Sequence, residues 1–200
     1  MATSVRNLAV SALIGMLCIG APVVSAQTKS PKAEVESAVN EVLGFLGDAS
    51  LDSAKRRELI RAALVPRFDF VGMSRSVLAA NWKKATPQEQ ERFVVLFQKL
   101  LGNVYITAME EYAGETVRYG KERIEGKRAL VETYIVRASS GEIPVHYRMR
   151  VRDGRWRAYD VTVEGVSIVS NYRSSFNSIV RKKGVSGLIE QLDKKLSTED

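Results

Sequence analysis

The sequence predicts an α+β fold in which helices cover one face of a curved, four-stranded antiparallel sheet. Two observations carry this prediction. Apolar residues recur at helical spacing over about residues 31–112 and again over about 169–196. Between about 115 and 164 apolar and polar residues alternate instead, which is typical of strands with one buried face. The expected order is therefore helices, an antiparallel meander, and helices again.

Three longer helices are predicted before the sheet. Pro31 opens an amphipathic helix, and a second helix over about 52–64 stops before Pro66. The segment TPQE at 86–89 combines an N-cap, a first-turn proline and a capping box, so a long helix should start there and run to about Tyr112. This long helix carries more apolar residues than one packing face needs, and we expect it to be covered on more than one side.

Two apolar runs are too irregular for simple helices. The run 69–82 precedes the long helix and should form one or two short helices over about 68–78. The run 165–176 leads into the first of two closing helices, which should end at Gly184. Both runs suggest that some of the apolar surface binds another molecule and does not serve only to fold the chain.

Four strands are predicted near residues 115–125, 128–138, 143–152 and 155–164. Asp153-Gly154 is a strong hairpin signal between the last two strands. In the third strand the apolar positions alternate with His146, Arg148, Arg150 and Arg152, so the opposite face of the sheet should be polar and basic.

Residues 1–26 have the pattern of a secretory signal peptide. Arg6 supplies the positive region, residues 8–21 are uncharged and apolar, and Val24-Ser25-Ala26 is a small-residue cleavage site. A single exported domain over 27–200 is expected, with a bacterial periplasm as its location. Cleavage would remove Cys18, which is the only cysteine, and with it any disulfide or thiol chemistry.

Charge and composition narrow the classes of function. The net charge is +7, and loss of Arg6 leaves +6, which favours anionic partners such as lipid head groups or membrane surfaces. Export makes nucleic acid an unexpected partner. His146 is the only histidine and is expected on the polar sheet face, so neither a Ser-His-Asp triad nor a metal site is predicted. Asp69 and Asp160 are more simply explained as a helix cap and an arginine partner than as catalytic bases.

Three runs carry a resemblance to a known family: DFVGMSRSVLAANWKKATP (69–87), GEIPVHYRMRVRDGRWRAYDVTVEGVSIVSNYRSSF (141–176) and GVSGLIEQL (184–192). Together they resemble the MlaC, or toluene-tolerance, family of periplasmic phospholipid-binding carrier proteins. The resemblance covers essentially the whole chain after the signal peptide. It departs from the family pattern at Ala79-Ala80, where such sequences often carry a glycine.

The resemblance implies a fold, a cargo and partners. The fold would be related to the nuclear-transport-factor-like and cystatin-like shapes, with an apolar cavity for acyl chains. The protein would not be an enzyme and would need no cofactor or metal, since phospholipid is its cargo. It would be a monomer that shuttles glycerophospholipid between an outer-membrane lipoprotein–porin complex and an inner-membrane MCE-domain ABC transporter complex.

Once the resemblance implies this cavity, its residues are expected from the two irregular apolar runs, the long helix and the apolar face of the sheet. Arg75 and Arg173, each beside an apolar run, are the expected head-group rim, although structural salt bridges or helix-end contacts would explain them equally well. The expected cavity residues are Phe70, Met73, Val77, Leu78, Trp82, Phe97, Leu100, Val104, Tyr105, Tyr147, Met149, Val151, Trp156, Val166, Val169, Tyr172 and Phe176.

Three alternatives remain at the level of sequence. The first is that the apolar residues form an ordinary core, which composition alone favours. An enzyme on a similar scaffold would use Asp160 or Asp69 as a base in an apolar pocket, an idea that rests on fold analogy. A small-solute binding protein of an ABC transporter is a third possibility, but the chain is short for a two-lobed protein of that kind.

Overall fold

The computed structural model describes residues 29–111, 114–137 and 141–198, which form five α-helices and a five-stranded sheet. Two 3₁₀ turns, Val65–Arg67 and Ala79–Lys83, flank the third helix. The helices are α1 (Pro31–Gly47), α2 (Ser53–Leu64), α3 (Phe70–Leu78), α4 (Pro87–Glu110) and α5 (Ile168–Leu196). The strands are β1 (Thr116–Glu125), β2 (Arg128–Arg137), β3 (Gly141–Arg152), β4 (Arg155–Val163) and β5 (Val166–Ser167).

The sheet is an antiparallel meander in the order β1-β2-β3-β4-β5. The four predicted strands are found close to their expected limits, and the α+β class is confirmed. The short strand β5 corrects the predicted number from four to five within the described residues. It pairs with the end of β4 across a two-residue turn, Glu164-Gly165, in which both residues have positive φ.

Register shifts interrupt the sheet in two places. One lies between Tyr119 and Glu122 in β1. The other lies where Arg148 and Met149 of β3 pair with Asp160 and Ala158 of β4, so that Tyr159 is the extra residue. Extra residues of this kind bend a strand and increase its twist, so curvature is expected in this sheet. The residues of the face that contacts the helices line up across the strands as Val131–Tyr147–Val161 and Ala129–Met149–Ala158.

Helix ends follow the expected local chemistry. The Thr86 hydroxyl accepts from the Glu89 N–H, and the Glu89 carboxylate accepts from the Thr86 N–H, so the predicted capping box is present. Helix α4 runs to Glu110, and Tyr112 lies outside the described residues. Helix α5 is broken at Gly184, whose φ of 71° is non-helical, as the prediction of two closing helices required.

The buried apolar residues form three clusters. The largest lies between α3, α4, α5 and the sheet. A second lies between α1 and the sheet, around Val35, Val131 and Met149. A third joins α1, α2 and α4 at Val42, Ile60 and Ile106. Within the residues that the structure describes, no helix has both the length and the apolar character to span a membrane.

The end of α3 carries a strained backbone. Ala79 has φ 50° and ψ −121°, a conformation that suits glycine and costs other residues free energy. We expect Ala79→Gly to raise the free energy of unfolding by about 1 kcal/mol, because it relieves this strain. Urea denaturation measures the change. Ala80→Gly is the matched control, because Ala80 has no positive φ and glycine there should lower stability by about 0.5–1 kcal/mol. Equal losses in both variants would contradict strain at Ala79.

Candidate functional site

The centre of the largest cluster is a group of four aromatic rings from α4 and α5. Phe97 lies 5.3 Å from Tyr172 and 5.6 Å from Phe93, measured between ring centroids, and Tyr172 lies 5.4 Å from Phe176. Phe93 and Phe97 are fully buried, whereas Tyr172 is partly exposed. This arrangement follows from the sequence, since Phe93 and Phe97 are four residues apart on one helix and Tyr172 and Phe176 are four apart on another.

Two small pockets adjoin this aromatic group. The first, of about 180 Å³, lies between α5 and the junction of α3 with the following 3₁₀ turn. The second, also about 180 Å³, lies between α4 and both halves of α5. Most of the side chains that line both pockets are apolar, and each pocket also has polar ones. The first is lined by Val77, Leu78, Ala79, Ala80, Asn81, Arg173, Phe176, Asn177 and Val180. The second is lined by Leu100, Tyr172, Phe176, Ile179, Leu188, Gln191, Leu192 and Lys195.

Most of the predicted cavity residues come together in the largest cluster. They belong to α3, the following 3₁₀ turn, α4, β3 and α5, which are far apart in the sequence. The members of this group are Phe70, Met73, Val77, Leu78, Trp82, Phe97, Leu100, Tyr105, Tyr147, Val169, Tyr172 and Phe176. Four of them, Val77, Leu78, Leu100 and Tyr172, line one of the two pockets, and Phe176 lines both.

The structure places the other predicted residues elsewhere. Met149 and Trp156 pack in the cluster beneath α1, and Val151 is partly exposed at the end of β3. Val104 is 41% exposed and Val166 is 59% exposed. These two valines therefore lie at the surface of the protein and not in its interior.

The two valines are exposed for different reasons. Leu100 and Leu101 of α4 are buried, and the next buried residue of this helix is Ile106, which packs against α1 and α2. The apolar stripe of α4 therefore does not pack against the same element along its whole length. Val166 lies in β5, at the edge of the sheet.

The two arginines of the expected rim have different surroundings. Arg173 lines the first pocket, and its Nε donates to the Ser76 carbonyl at 2.7 Å. Arg75 lies with its guanidinium 5.7 Å from the centre of the Trp82 ring and is not among the residues that line either pocket. Asn81 and Asn177 are the other polar residues of the first pocket. The structure thus brings Arg173, rather than Arg75, to the edge of an apolar space.

Asp69 is a structural carboxylate. It is 4% exposed, its Oδ1 accepts from the Gly72 N–H at 2.9 Å, and its Oδ2 accepts from Arg150 Nε at 2.5 Å. It therefore caps α3 and joins that helix to the sheet. Gly72 is needed for this approach, because a Cβ there would lie 1.8 Å from Arg150 Nη2.

Asp160 holds the start of α5. Its Oδ1 accepts from the Val169 N–H at 3.2 Å, and its Oδ2 accepts from the Ser167 hydroxyl at 2.7 Å. Arg148 Nη1 lies 3.8 Å from the same carboxylate. The helix cap predicted for Asp69 and the arginine predicted next to Asp160 are both found, and each aspartate also makes the other kind of contact.

His146 is partly exposed on β3, where its ring stands edge-on to Tyr134 at 6.3 Å. Among the described residues, no group of three or more His, Cys, Asp or Glu side chains is arranged to hold a metal ion.

Burial raises the pKa of the Tyr147 hydroxyl to about 12. An unfolded tyrosine has a pKa of about 10, so between pH 10 and 12 the unfolded chain loses this proton first and the stability of the fold decreases. When the pH rises from 8 to 11, we expect the free energy of unfolding of Tyr147→Phe to fall by about 1 kcal/mol less than that of wild type. Urea denaturation at both pH values measures it, and equal losses in both proteins would contradict this role of Tyr147.

Several pocket residues were not predicted as site residues. Ile179, Leu188 and Leu192 are recognisable in the sequence as the apolar faces of the closing helices, but helical periodicity does not show what those faces contact. Ile179 continues the spacing of Tyr172 and Phe176, which is the one sequence signal that could have extended the predicted site.

Fold and site together define the class of protein: an antiparallel sheet covered by helices, with an apolar interior and small pockets whose lining includes polar residues. The family model described as MlaC protein matches residues 36–194. The chain therefore belongs to the MlaC family.

Named relatives agree with this assignment. The toluene tolerance protein ttg2D of Pseudomonas putida is 26% identical over 170 residues, which cover 82% of this chain and 79% of the relative. The intermembrane phospholipid transport system binding protein MlaC of Haemophilus influenzae is 22% identical over 146 residues, covering 70% and 68% of the two chains.

A solved structure has the same fold. The phospholipid-binding protein from Ralstonia solanacearum, solved in complex with a phospholipid, has a TM-score of 0.77 and 26% sequence identity to this chain. The match covers 85% of this chain and 98% of the other.

Proposed function

We propose that this protein is a periplasmic phospholipid carrier, which moves glycerophospholipid between the outer membrane and an inner-membrane ABC transporter. The observation that carries the proposal is the match to a phospholipid-binding protein solved with its lipid, at a TM-score of 0.77 over 98% of that chain. Membership of the MlaC family supports the same cargo.

The apolar interior suits this work. Each methylene removed from water contributes about 0.8 kcal/mol, so an acyl chain held in an apolar space resists transfer to water by many kcal/mol. Such a carrier needs a dry interior and few directional bonds. The apolar lining of the second pocket includes Leu100, Ile179, Leu188 and Leu192. That of the first pocket includes Val77, Leu78 and Val180.

The proposed site comprises the predicted residues in the largest cluster together with the pocket residues of α5. Arg173 is the proposed head-group contact, with Asn81 and Asn177 beside it. A guanidinium matches the geometry of a lipid phosphate, and its position at the edge of an apolar pocket leaves the head group near solvent. The exposed Val104 and Val166 are not part of this site.

The cellular setting is also proposed. Residues 1–26 would be a cleaved signal peptide, and 27–200 one lipid-carrier domain that works as a monomer. Its partners would be an outer-membrane lipoprotein–porin complex and an inner-membrane MCE-domain transporter complex. A relation of the fold to the nuclear-transport-factor-like and cystatin-like shapes is part of the same proposal.

A carrier accounts for the buried aspartates better than an enzyme does. Asp69 and Asp160 each accept hydrogen bonds from a helix N-terminus and lie next to an arginine, so both carboxylates are explained by the fold. We therefore propose a protein without catalytic activity, with phospholipid as cargo and no cofactor.

Transfer of a fluorescent phospholipid between donor and acceptor vesicles tests the proposal. We expect the transfer rate to rise in proportion to the protein added, because each molecule carries its own lipid load. A heat-denatured sample is the control. A rate equal to the spontaneous rate at every protein concentration would contradict the carrier function.

A further inference from the structure

Phe176 is the wall between the two pockets, since its side chain lines both of them. The residue is 7% exposed. Its ring lies against three other rings, at 5.4 Å from Tyr172, 6.1 Å from Phe93 and 6.3 Å from Phe97. One side chain, held by an aromatic group, therefore separates two apolar spaces that lie along the same helix.

Each pocket alone is small for an acyl chain. A cavity of about 150 Å³ holds one benzene ring, so a space of about 180 Å³ takes a stretch of roughly six carbons. A myristoyl chain has about fourteen carbons, and burial of each methylene contributes favourable free energy to binding. A membrane-lipid tail bound in one pocket would leave more than half of its length outside.

Each pocket has polar residues among those that line it. The first pocket has Arg173, Asn81 and Asn177 at its edge, and its apolar lining includes Val77 and Val180. The second, between α4 and α5, has an apolar lining that includes Leu188, and Gln191 and Lys195 are its polar residues. A tail whose phosphate contacts Arg173 would extend along α5 and would reach the second pocket only past the ring of Phe176.

We propose that Phe176 is a gate within a single acyl-chain channel, and that displacement of its ring joins the two pockets when a long tail enters. The proposal rests on the proposed function, because it describes the path of the tail within the same site. It assigns a role in chain-length selection to a residue that would otherwise be ordinary core.

Gating has a measurable cost. When the state competent to bind is a minor one, the apparent dissociation constant rises in inverse proportion to its population. Removal of the ring makes the joined channel permanent and removes that cost. A short chain that fits in one pocket binds without this rise in the dissociation constant, so the gain in affinity should depend on chain length.

Binding of two alkylphosphocholines to the purified, lipid-stripped protein tests the gate by calorimetry. Hexylphosphocholine matches one pocket, and hexadecylphosphocholine requires both. We expect Phe176→Ala to bind hexadecylphosphocholine about tenfold more tightly than wild type, since minor states are commonly populated at 10% or below, and to bind the hexyl probe unchanged. Phe176→Leu, which keeps more of the packing, should shift in the same direction, and Phe176→Trp in the opposite direction.

Phe45→Ala is the matched control, because Phe45 packs in the separate cluster of α1, α2 and α4 and should change neither affinity. Weaker binding of the long probe in the alanine, leucine and tryptophan variants alike would show a structural role only and overturn the gate. An equal gain for both probes would also overturn it. Wild-type protein that binds neither probe contradicts the proposed function itself, whereas tight wild-type binding with no gain in Phe176→Ala contradicts the gate alone.

Discussion

Ile179→Glu is expected to reduce the phospholipid content of the purified protein at least tenfold. Ile179 is partly buried and lines the second pocket together with Leu188 and Leu192, so an acyl chain bound there would have to cover the new carboxylate. Removing a carboxylate from water costs several kcal/mol, and each 1.4 kcal/mol is a factor of ten in binding. Lipid extraction followed by phosphate analysis, normalised to protein, measures the loss.

Val166→Glu is the matched control for this substitution. It introduces the same charge at a valine that is 59% exposed, so lipid content should equal that of wild type. The circular dichroism of both variants should match wild type, because neither position is fully buried. Full lipid content in Ile179→Glu, or an equal loss in both variants, would contradict the placement of the acyl chains.

Asp69→Asn is expected to lower the free energy of unfolding by about 2–3 kcal/mol. Asparagine can still accept from the Gly72 N–H, but it leaves Arg150 without the carboxylate that faces it. Breaking a buried ion pair by removing one partner costs about 3–5 kcal/mol, and the side chain of Arg150 is 36% exposed, which reduces the expected cost. Urea denaturation followed by far-ultraviolet circular dichroism measures it.

Asp153→Asn provides the comparison on the surface. Asp153 lies 3.5 Å from Arg157 but is 71% exposed, and asparagine tolerates its positive φ of 51°. Loss of an exposed pair should change stability by less than about 1 kcal/mol. Similar changes in the two variants would mean that the link between α3 and the sheet contributes no more than a surface contact.

Local patterns in the sequence were sufficient for most of the fold. The alternation in β3 and the Asp153-Gly154 hairpin define strands whose ends lie close to those predicted. The capping box at Thr86 and the glycine at 184 mark real helix boundaries. Strand β5 escaped prediction because it has two residues and its turn begins with glutamate, which is not a residue that hairpin turns favour.

The site was less accessible from the sequence, because periodicity identifies the apolar side of an element but not the element that covers it. Val104 follows the apolar stripe of α4 and is nevertheless exposed. Conversely, the contact of Arg173 with the Ser76 carbonyl joins residues 97 positions apart, and no local pattern encodes it. The division of the interior by Phe176 depends on such long-range packing and became visible only in three dimensions.

The most direct test of the carrier function is whether the purified protein carries phospholipid. The measurement is native mass spectrometry of the protein purified from a Gram-negative periplasm without detergent, with lipid extraction from the same sample. We predict a stoichiometric mass increase that matches phospholipid and disappears in Ile179→Glu. A bare polypeptide mass, unchanged after incubation with phospholipid vesicles, would contradict the carrier function and leave the apolar interior as an ordinary core.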